Sequence, residues 1–103
     1  MATFVALWNQ PDDTAGFEKG YERHLELAAK MPGLRRMQAA RPLDGAFYRI
    51  ALLEFDSAAA MEDAFASPAG EKVLEDSASL QERYNTSVER LIVDRMEEVK
   101  PSV

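Results

Sequence analysis

FYRIALLEF, at residues 47–55, is the stretch that decides the fold, because it is the clearest strand in the 103-residue chain. Asp56-Ser57 follows it directly and caps a helix that we expect to run to about Ser67. Ser67-Pro68 then restarts the helix, with serine at a cap and proline at the first position, and this piece is expected to end near Ser77. A strand is therefore followed by helices, with the ambiguous residues 80–85 assigned to a loop.

The same reading extends to both sides of this stretch. Thr3–Trp8 is apolar and predicts a first strand, and Asp12 or Asp13 then caps a helix that continues to about Lys30. One face of this helix has a repeating set of apolar residues and one histidine, namely Phe17, Tyr21, His24, Leu25 and Ala28. Leu34–Ala40 predicts a second strand, and Thr86–Met96 contains the last one.

The order of these elements is strand, helix, strand, strand, helix, strand. This order predicts a ferredoxin-like βαββαβ subunit of class α+β, whose four-stranded antiparallel sheet has its helices on one face. The length allows one domain over residues 1–103, in which the polar tail at 97–103 is expected to fray.

The second face of the predicted sheet is unusually apolar. In the strand at 47–55 both alternating sets of side chains are largely apolar, and the strand at Thr3–Trp8 behaves in the same way. A soluble monomer would expose this surface, and the tail of seven residues is too short to cover it. We therefore expect a homodimer in which two copies pack through their sheet faces.

Composition excludes several classes of partner and chemistry. The net charge of -6 argues against nucleic acid and against an anionic membrane surface as partners. The chain has no cysteine and a single histidine, which removes disulfide scaffolds, cysteine zinc sites and sites built from two histidines. No signal peptide and no apolar stretch of membrane-spanning length are visible, so a cytoplasmic location is expected.

Several short motifs, in this order and spacing, resemble the EthD family. They are Pro11-Asp12, Phe17 to Tyr21 with His24, Met31-Pro32-Gly33-Leu34, Leu53-Glu54-Phe55-Asp56-Ser57, and Phe65-Ala66-Ser67-Pro68-Ala69-Gly70. The resemblance spans nearly the whole chain and implies a dimeric α+β barrel with a pocket between sheet and helices in each subunit. That superfamily includes cofactor-independent monooxygenases, lactone isomerases, haem enzymes and proteins of unclear role.

His24 is the main candidate for chemistry. It lies on the apolar side of its helix, where a histidine of near-neutral pKa can act as an acid or a base. The alternative is a core histidine that is hydrogen-bonded within the protein. Four aromatic residues are the candidates for binding a ligand, namely Trp8, Phe17, Tyr21 and Tyr48; such residues also serve as core filler.

We expect no metal and no cofactor. Glu22 and Glu26 flank His24, but spacings of two residues on a helix direct these carboxylates away from the imidazole. Arg49 and Glu54 belong to opposite faces of one strand, and either is a candidate for an ion pair within the subunit or across the dimer.

Two functions remain. The first is an enzyme, of the isomerase, cyclase or cofactor-free monooxygenase type, that transforms a small apolar or aromatic molecule with His24 as acid or base. The second is a dimeric binding or accessory protein without catalysis, in which His24 is a core residue. An open cavity beside His24 would favour the first.

Overall fold

Four strands and three helices make up the computed structural model, which describes residues 1–102. The elements, in chain order, are β1 (Ala2–Trp8), α1 (Thr14–Ala28), β2 (Arg36–Ala40), β3 (Arg49–Phe55), α2 (Ala58–Ala66), α3 (Pro68–Arg83) and β4 (Val88–Val93). The strands form one antiparallel sheet in the order β2-β3-β1-β4. The predicted ferredoxin-like α+β fold is confirmed, with the second helical region divided into α2 and α3.

The register of the sheet decides which side chains face the helices. Ala6 of β1 pairs with Ala51 of β3 on one side and with Arg90 of β4 on the other. Because side chains alternate along a strand, every second residue from these positions lies on the same face. That face has Trp8 and Leu53, both buried against the helices in the main core.

The helix starts follow the sequence signals. Asp13 accepts a hydrogen bond from the backbone nitrogen of Gly16. Of the two predicted caps, Asp12 and Asp13, it is therefore Asp13 that caps α1. The hydroxyl oxygens of Ser57 and Ser67 accept the equivalent bonds at α2 and α3. These side chains satisfy backbone donors that a helix leaves unpaired in its first turn.

Helix α3 is longer than expected. It continues to Arg83, so the loop predicted over residues 80–85 is wrong for its first four positions. Leu80 is only 3% exposed and lies seven residues after the buried Val73, which continues the apolar side of the helix. A Cβ at Gly20 would lie 2.8 Å from Cδ2 of Leu80, so the absence of a side chain at Gly20 lets α3 approach α1 closely.

The face of the sheet away from the helices stays apolar at its centre. Val5, Leu7, Ile50, Leu52 and Leu91 share it by register. Leu91 is 51% exposed. Residues 95–102 are exposed and have no regular secondary structure; Val103, the end of the predicted frayed tail, lies outside the described residues. None of the helices within residues 1–102 has the length and apolar character that crossing a membrane requires.

Candidate functional site

A cavity lies between the helix-facing side of the sheet and helices α1 and α3. The cavity itself has a volume of about 50 Å³, and about 510 Å³ of space free of protein atoms is reached only when the open solvent at its mouth is counted. Most of its walls are apolar and include Phe4, Ala6, Trp8, Leu53, Phe65 and Val73. Its polar groups are few, namely Tyr21, His24, Ser77 and Arg90. An apolar cavity with a small number of polar groups is typical of sites for small organic molecules.

His24 is tied to a carboxylate at the wall of this cavity. Its Nδ1 lies 2.8 Å from Oδ2 of Asp76, which comes from α3, 52 positions further along the chain. The imidazole packs edge-on against Trp8 and is stacked on Tyr21, with ring centroids 5.7 and 6.2 Å away. His24 is 8% exposed, so its ring is held in one orientation by a hydrogen bond and two aromatic neighbours.

This environment decides the protonation of His24. Burial lowers the pKa of the imidazole, and the hydrogen bond and negative charge of Asp76 oppose that shift only partly. His24 is therefore mainly neutral at pH 7. Because a carboxylate accepts hydrogen bonds, Nδ1 carries the proton and Nε2 has a free lone pair. Nε2 has no hydrogen-bond partner within residues 1–102.

Tyr21, which also lines the cavity, has a buried hydroxyl without a partner. Its side chain is 1% exposed, and its hydroxyl oxygen makes no hydrogen bond within residues 1–102. Burial raises the pKa of this phenol to about 12, so the hydroxyl keeps its proton and is a potential donor. A buried hydroxyl left unpaired is uncommon, because its desolvation is not compensated.

A cluster of charges supports the other side of Tyr21. The guanidinium carbon of Arg49 lies 5.0 Å from the centre of the Tyr21 ring. Arg49 also donates two hydrogen bonds to Glu18, at 2.5 and 3.1 Å, and Arg41 reaches the same carboxylate at 2.9 Å. The ion pair predicted as one possibility for Arg49 is thus formed within the subunit, and it joins α1 to β3. Glu54 instead lies 3.7 Å from Arg36.

The predicted site residues are divided between the cavity and the core. Trp8, Tyr21 and His24 all line the cavity. Phe17 is fully buried and contacts the rings of Trp8, Tyr21, Tyr48 and Tyr84, and it is not part of the lining. Tyr48 is half-buried beside Arg41 and also lies outside the lining. Contact of any of these residues with a ligand stays a prediction.

Sequence reasoning did not identify Asp76 as the partner of His24. The signal was a carboxylate three residues after Val73 and four before Leu80, on the apolar side of α3. It went unused because the contact joins two helices 52 positions apart, which no local spacing defines. Glu22 and Glu26 are exposed, and no group of three or more potential metal ligands occurs within residues 1–102.

Comparison with known proteins gives one relative in sequence and several in structure. An uncharacterised 11.0 kDa protein from the thcB-thcC intergenic region of Rhodococcus erythropolis is 35% identical over 85 residues, which is 77% of this chain and 82% of that protein. No protein-family model matches the chain.

Among solved structures, an ethyl tert-butyl ether D (EthD) family protein from Bacillus halodurans has a TM-score of 0.85 and 24% identity, covering 93% of this chain and 99% of the other. SnoaB, a cofactor-independent oxygenase from Streptomyces nogalater, has a TM-score of 0.72 and 19% identity, covering 97% of each chain. A dimeric protein of unknown function with a ferredoxin-like fold, from Bacteroides fragilis, has a TM-score of 0.66 and 13% identity, covering 91% of this chain and 95% of the other.

Proposed function

We propose that this chain, which has the fold of an EthD family protein and is 35% identical to an uncharacterised Rhodococcus erythropolis protein, is a small-molecule enzyme of the EthD type. In this proposal His24 removes a proton from an apolar or aromatic carbonyl compound held in the cavity. The oxygenase SnoaB shares the fold and works without a cofactor, which makes a cofactor-free reaction in such a cavity chemically reasonable. The proposal itself depends on residues of this chain.

The observation that supports it most is the pair formed by His24 and Asp76. The hydrogen bond of 2.8 Å to Asp76 fixes the tautomer with the proton on Nδ1, so Nε2 is the basic atom. When Nε2 takes a proton, the imidazolium that forms is stabilised by the adjacent carboxylate. The same arrangement activates the histidine of hydrolytic triads, where the carboxylate orients the ring and stabilises its charged form.

Tyr21 supplies the complementary group. Removing a proton from a carbon next to a carbonyl breaks the C–H bond, moves the proton to Nε2 and leaves the electron pair as an enolate. The unpaired hydroxyl of Tyr21 is a buried donor that can stabilise the enolate oxygen. Isomerisation, cyclisation and cofactor-free oxygenation of aromatic compounds all proceed through such an anion, so the geometry supports their shared first step.

That shared step has a direct assay. The protein is incubated in D₂O with a panel of aryl ketones, β-diketones and lactones, and deuterium incorporation at the acidic carbon is followed by NMR. We expect the wild type to accelerate exchange of at least one compound. His24→Gln and Asp76→Asn should each slow that exchange by about 100-fold, a typical contribution of a positioned general base and its partner.

Glu22→Gln is the matched control. It removes a carboxylate from the exposed side of α1, two residues from His24, and should leave the exchange rate unchanged. Equal exchange by the wild type and His24→Gln would contradict the proposal. Binding of panel compounds without any exchange would instead support a non-catalytic binding protein.

The assembly of the active protein is part of the same proposal. The apolar outer face of the sheet and the dimeric Bacteroides fragilis protein of the same fold support a homodimer through that face. Its cavities lie on the opposite side of each sheet, between sheet and helices, so each subunit would hold its own site.

A further inference from the structure

We infer that Arg90 recognises a carboxylate on the ligand, so that the substrates are small apolar or aromatic acids. This inference rests on the proposed function, because it assigns a substrate class to the same cavity. It is carried by the position of Arg90, by its lack of a partner within residues 1–102, and by a second polar group, Ser77 of α3, in the lining of the same cavity.

The position of Arg90 follows from the sheet register. Arg90 pairs with Ala6, and Ala6 lines the cavity, so the Arg90 side chain lies on the helix-facing side of the edge strand β4. It contributes to the cavity wall together with Trp8 and His24. Arg90 is an exposed residue, so it borders the cavity from the solvent side.

Arg90 differs from the arginines in and beside strands β2 and β3. Four of those arginines have carboxylate partners: Arg35 with Asp56, Arg36 with Glu54, and both Arg41 and Arg49 with Glu18. Within residues 1–102, Arg90 makes neither a salt bridge nor a side-chain hydrogen bond. A cation that borders an apolar cavity and has no internal partner is suited to bind an anion of the ligand.

Ser77, which also lines the cavity, adds a second donor. Its Oγ lies 3.4 Å from the side-chain nitrogen of Gln81, which donates to it, so the hydroxyl proton of Ser77 is free to be donated in turn. Asp76, which precedes Ser77 in the chain, is bonded to His24. The polar part of this wall thus has a guanidinium and a hydroxyl donor, which match the acceptor oxygens of a carboxylate.

Overall charge makes a local cation necessary for such a ligand. The chain has a net charge of -6, which repels anions at long range. An acid would therefore enter an apolar cavity only where a fixed positive group compensates its lost hydration. Arg90 is the arginine that lines this cavity.

The test uses a pair of probes that differ in charge, 2-naphthoate and 2-naphthamide. Their affinities are measured by isothermal titration calorimetry for wild type, Arg90→Gln and Arg95→Gln. Arg95 is an exposed arginine outside the cavity, so its substitution changes the net charge equally. We expect the wild type to bind the acid about tenfold more tightly than the amide, with this preference falling as NaCl is raised. Arg90→Gln should abolish the preference, while Arg95→Gln should retain it.

Each other outcome overturns the inference in a distinguishable way. Equal affinity of the wild type for both probes, or an equal loss for both in Arg90→Gln, would show that Arg90 does not select an acid, while the cavity remains a ligand site. Loss of the preference in Arg95→Gln as well would assign it to net charge. If neither probe binds, both this inference and the ligand-binding cavity of the proposed function fail.

Discussion

Tyr21 presents the sharpest conflict at the scale of single residues. Its hydroxyl is buried without a hydrogen-bond partner, which costs about 1–3 kcal/mol relative to a satisfied group. A fold that only needed a flat aromatic ring between Phe17 and His24 would be served better by phenylalanine. Stability sacrificed at a buried polar group is a feature of functional sites.

Tyr21→Phe should therefore separate stability from function. We expect the free energy of unfolding, measured by urea denaturation, to stay the same or to rise by about 1 kcal/mol, because an unpaired hydroxyl is removed. Deuterium exchange of the carbonyl probe should fall, because the enolate loses its donor. Tyr84→Phe, which removes a hydroxyl outside the cavity lining, serves as the control. A loss of stability above about 1 kcal/mol in Tyr21→Phe would mean that the hydroxyl has a partner in the folded protein.

How much of the site could be predicted depended on the range of the contacts. His24 and Tyr21 share one helix, so their spacing alone placed them on the buried side of α1. Asp76 reaches His24 from α3, and that contact depends on the close approach of the two helices at Gly20. Arg90 belongs to the cavity only because β4 pairs with β1, a register that no local pattern defines.

At the scale of elements, one ion pair joins the first helix to the sheet. Glu18 of α1 accepts two hydrogen bonds from Arg49 at the start of β3. The Arg49 hydrogen bonds, aided by Tyr48 and Arg41 and opposed by burial, lower the pKa of Glu18 to about 2 from its usual 4.5. The same contact holds the guanidinium over the ring of Tyr21, so the helix, the strand and the cavity wall are connected.

Acid titration should reveal this connection. Because the unfolded chain takes up a proton at Glu18 near pH 4.5 and the folded chain only near pH 2, the stabilisation is complete above that interval and is lost as the pH falls through it. Glu18→Gln should lower the melting temperature at neutral pH and flatten its fall between these pH values. The pKa of His24 is also lowered, because burial disfavours its charged form. Its effect on stability therefore begins near pH 6.5, where the unfolded histidine takes up a proton, and increases as the pH falls further.

Glu22→Gln controls for the change in net charge, since Glu22 is an exposed carboxylate of the same helix that forms no salt bridge within residues 1–102. Its melting curve against pH should follow that of the wild type. A Glu18→Gln variant with the same acid dependence as the wild type would show that the ion pair does not stabilise the fold.

Most element boundaries could be predicted to within a few residues, and the exception has a physical cause. The end of α3 reads as a polar, serine-rich segment, Glu75–Ser79, which lowers its apparent helical character. Burial of Leu80 against α1 extends the helix to Arg83. Tertiary packing thus overrode local propensity, as it does for many helices.

At the scale of the whole molecule, one subunit is a thin slab. Its Cα atoms extend 42 × 38 × 17 Å, with a radius of gyration of 14.4 Å. Its accessible surface is 6878 Å², against about 5,800 Å² for a compact monomer of this mass. The exposed tail contributes to this excess, and the remainder reflects a sheet with helices on one side only.

The apolar outer face predicts that the slab is half of a dimer. We expect light scattering at micromolar concentration to give twice the chain mass of 11.5 kDa, with an interface above about 1,000 Å².

Leu52, half-buried at the centre of that face, would be fully covered by a second copy. Leu52→Lys should therefore give a monomer, because a buried unpaired ammonium is costly. Leu43→Lys places the same charge on a side chain that is fully exposed in the loop between β2 and β3, and should leave the dimer intact. A wild type of 11.5 kDa would refute the dimer, and an unchanged mass in Leu52→Lys would place the interface on another surface.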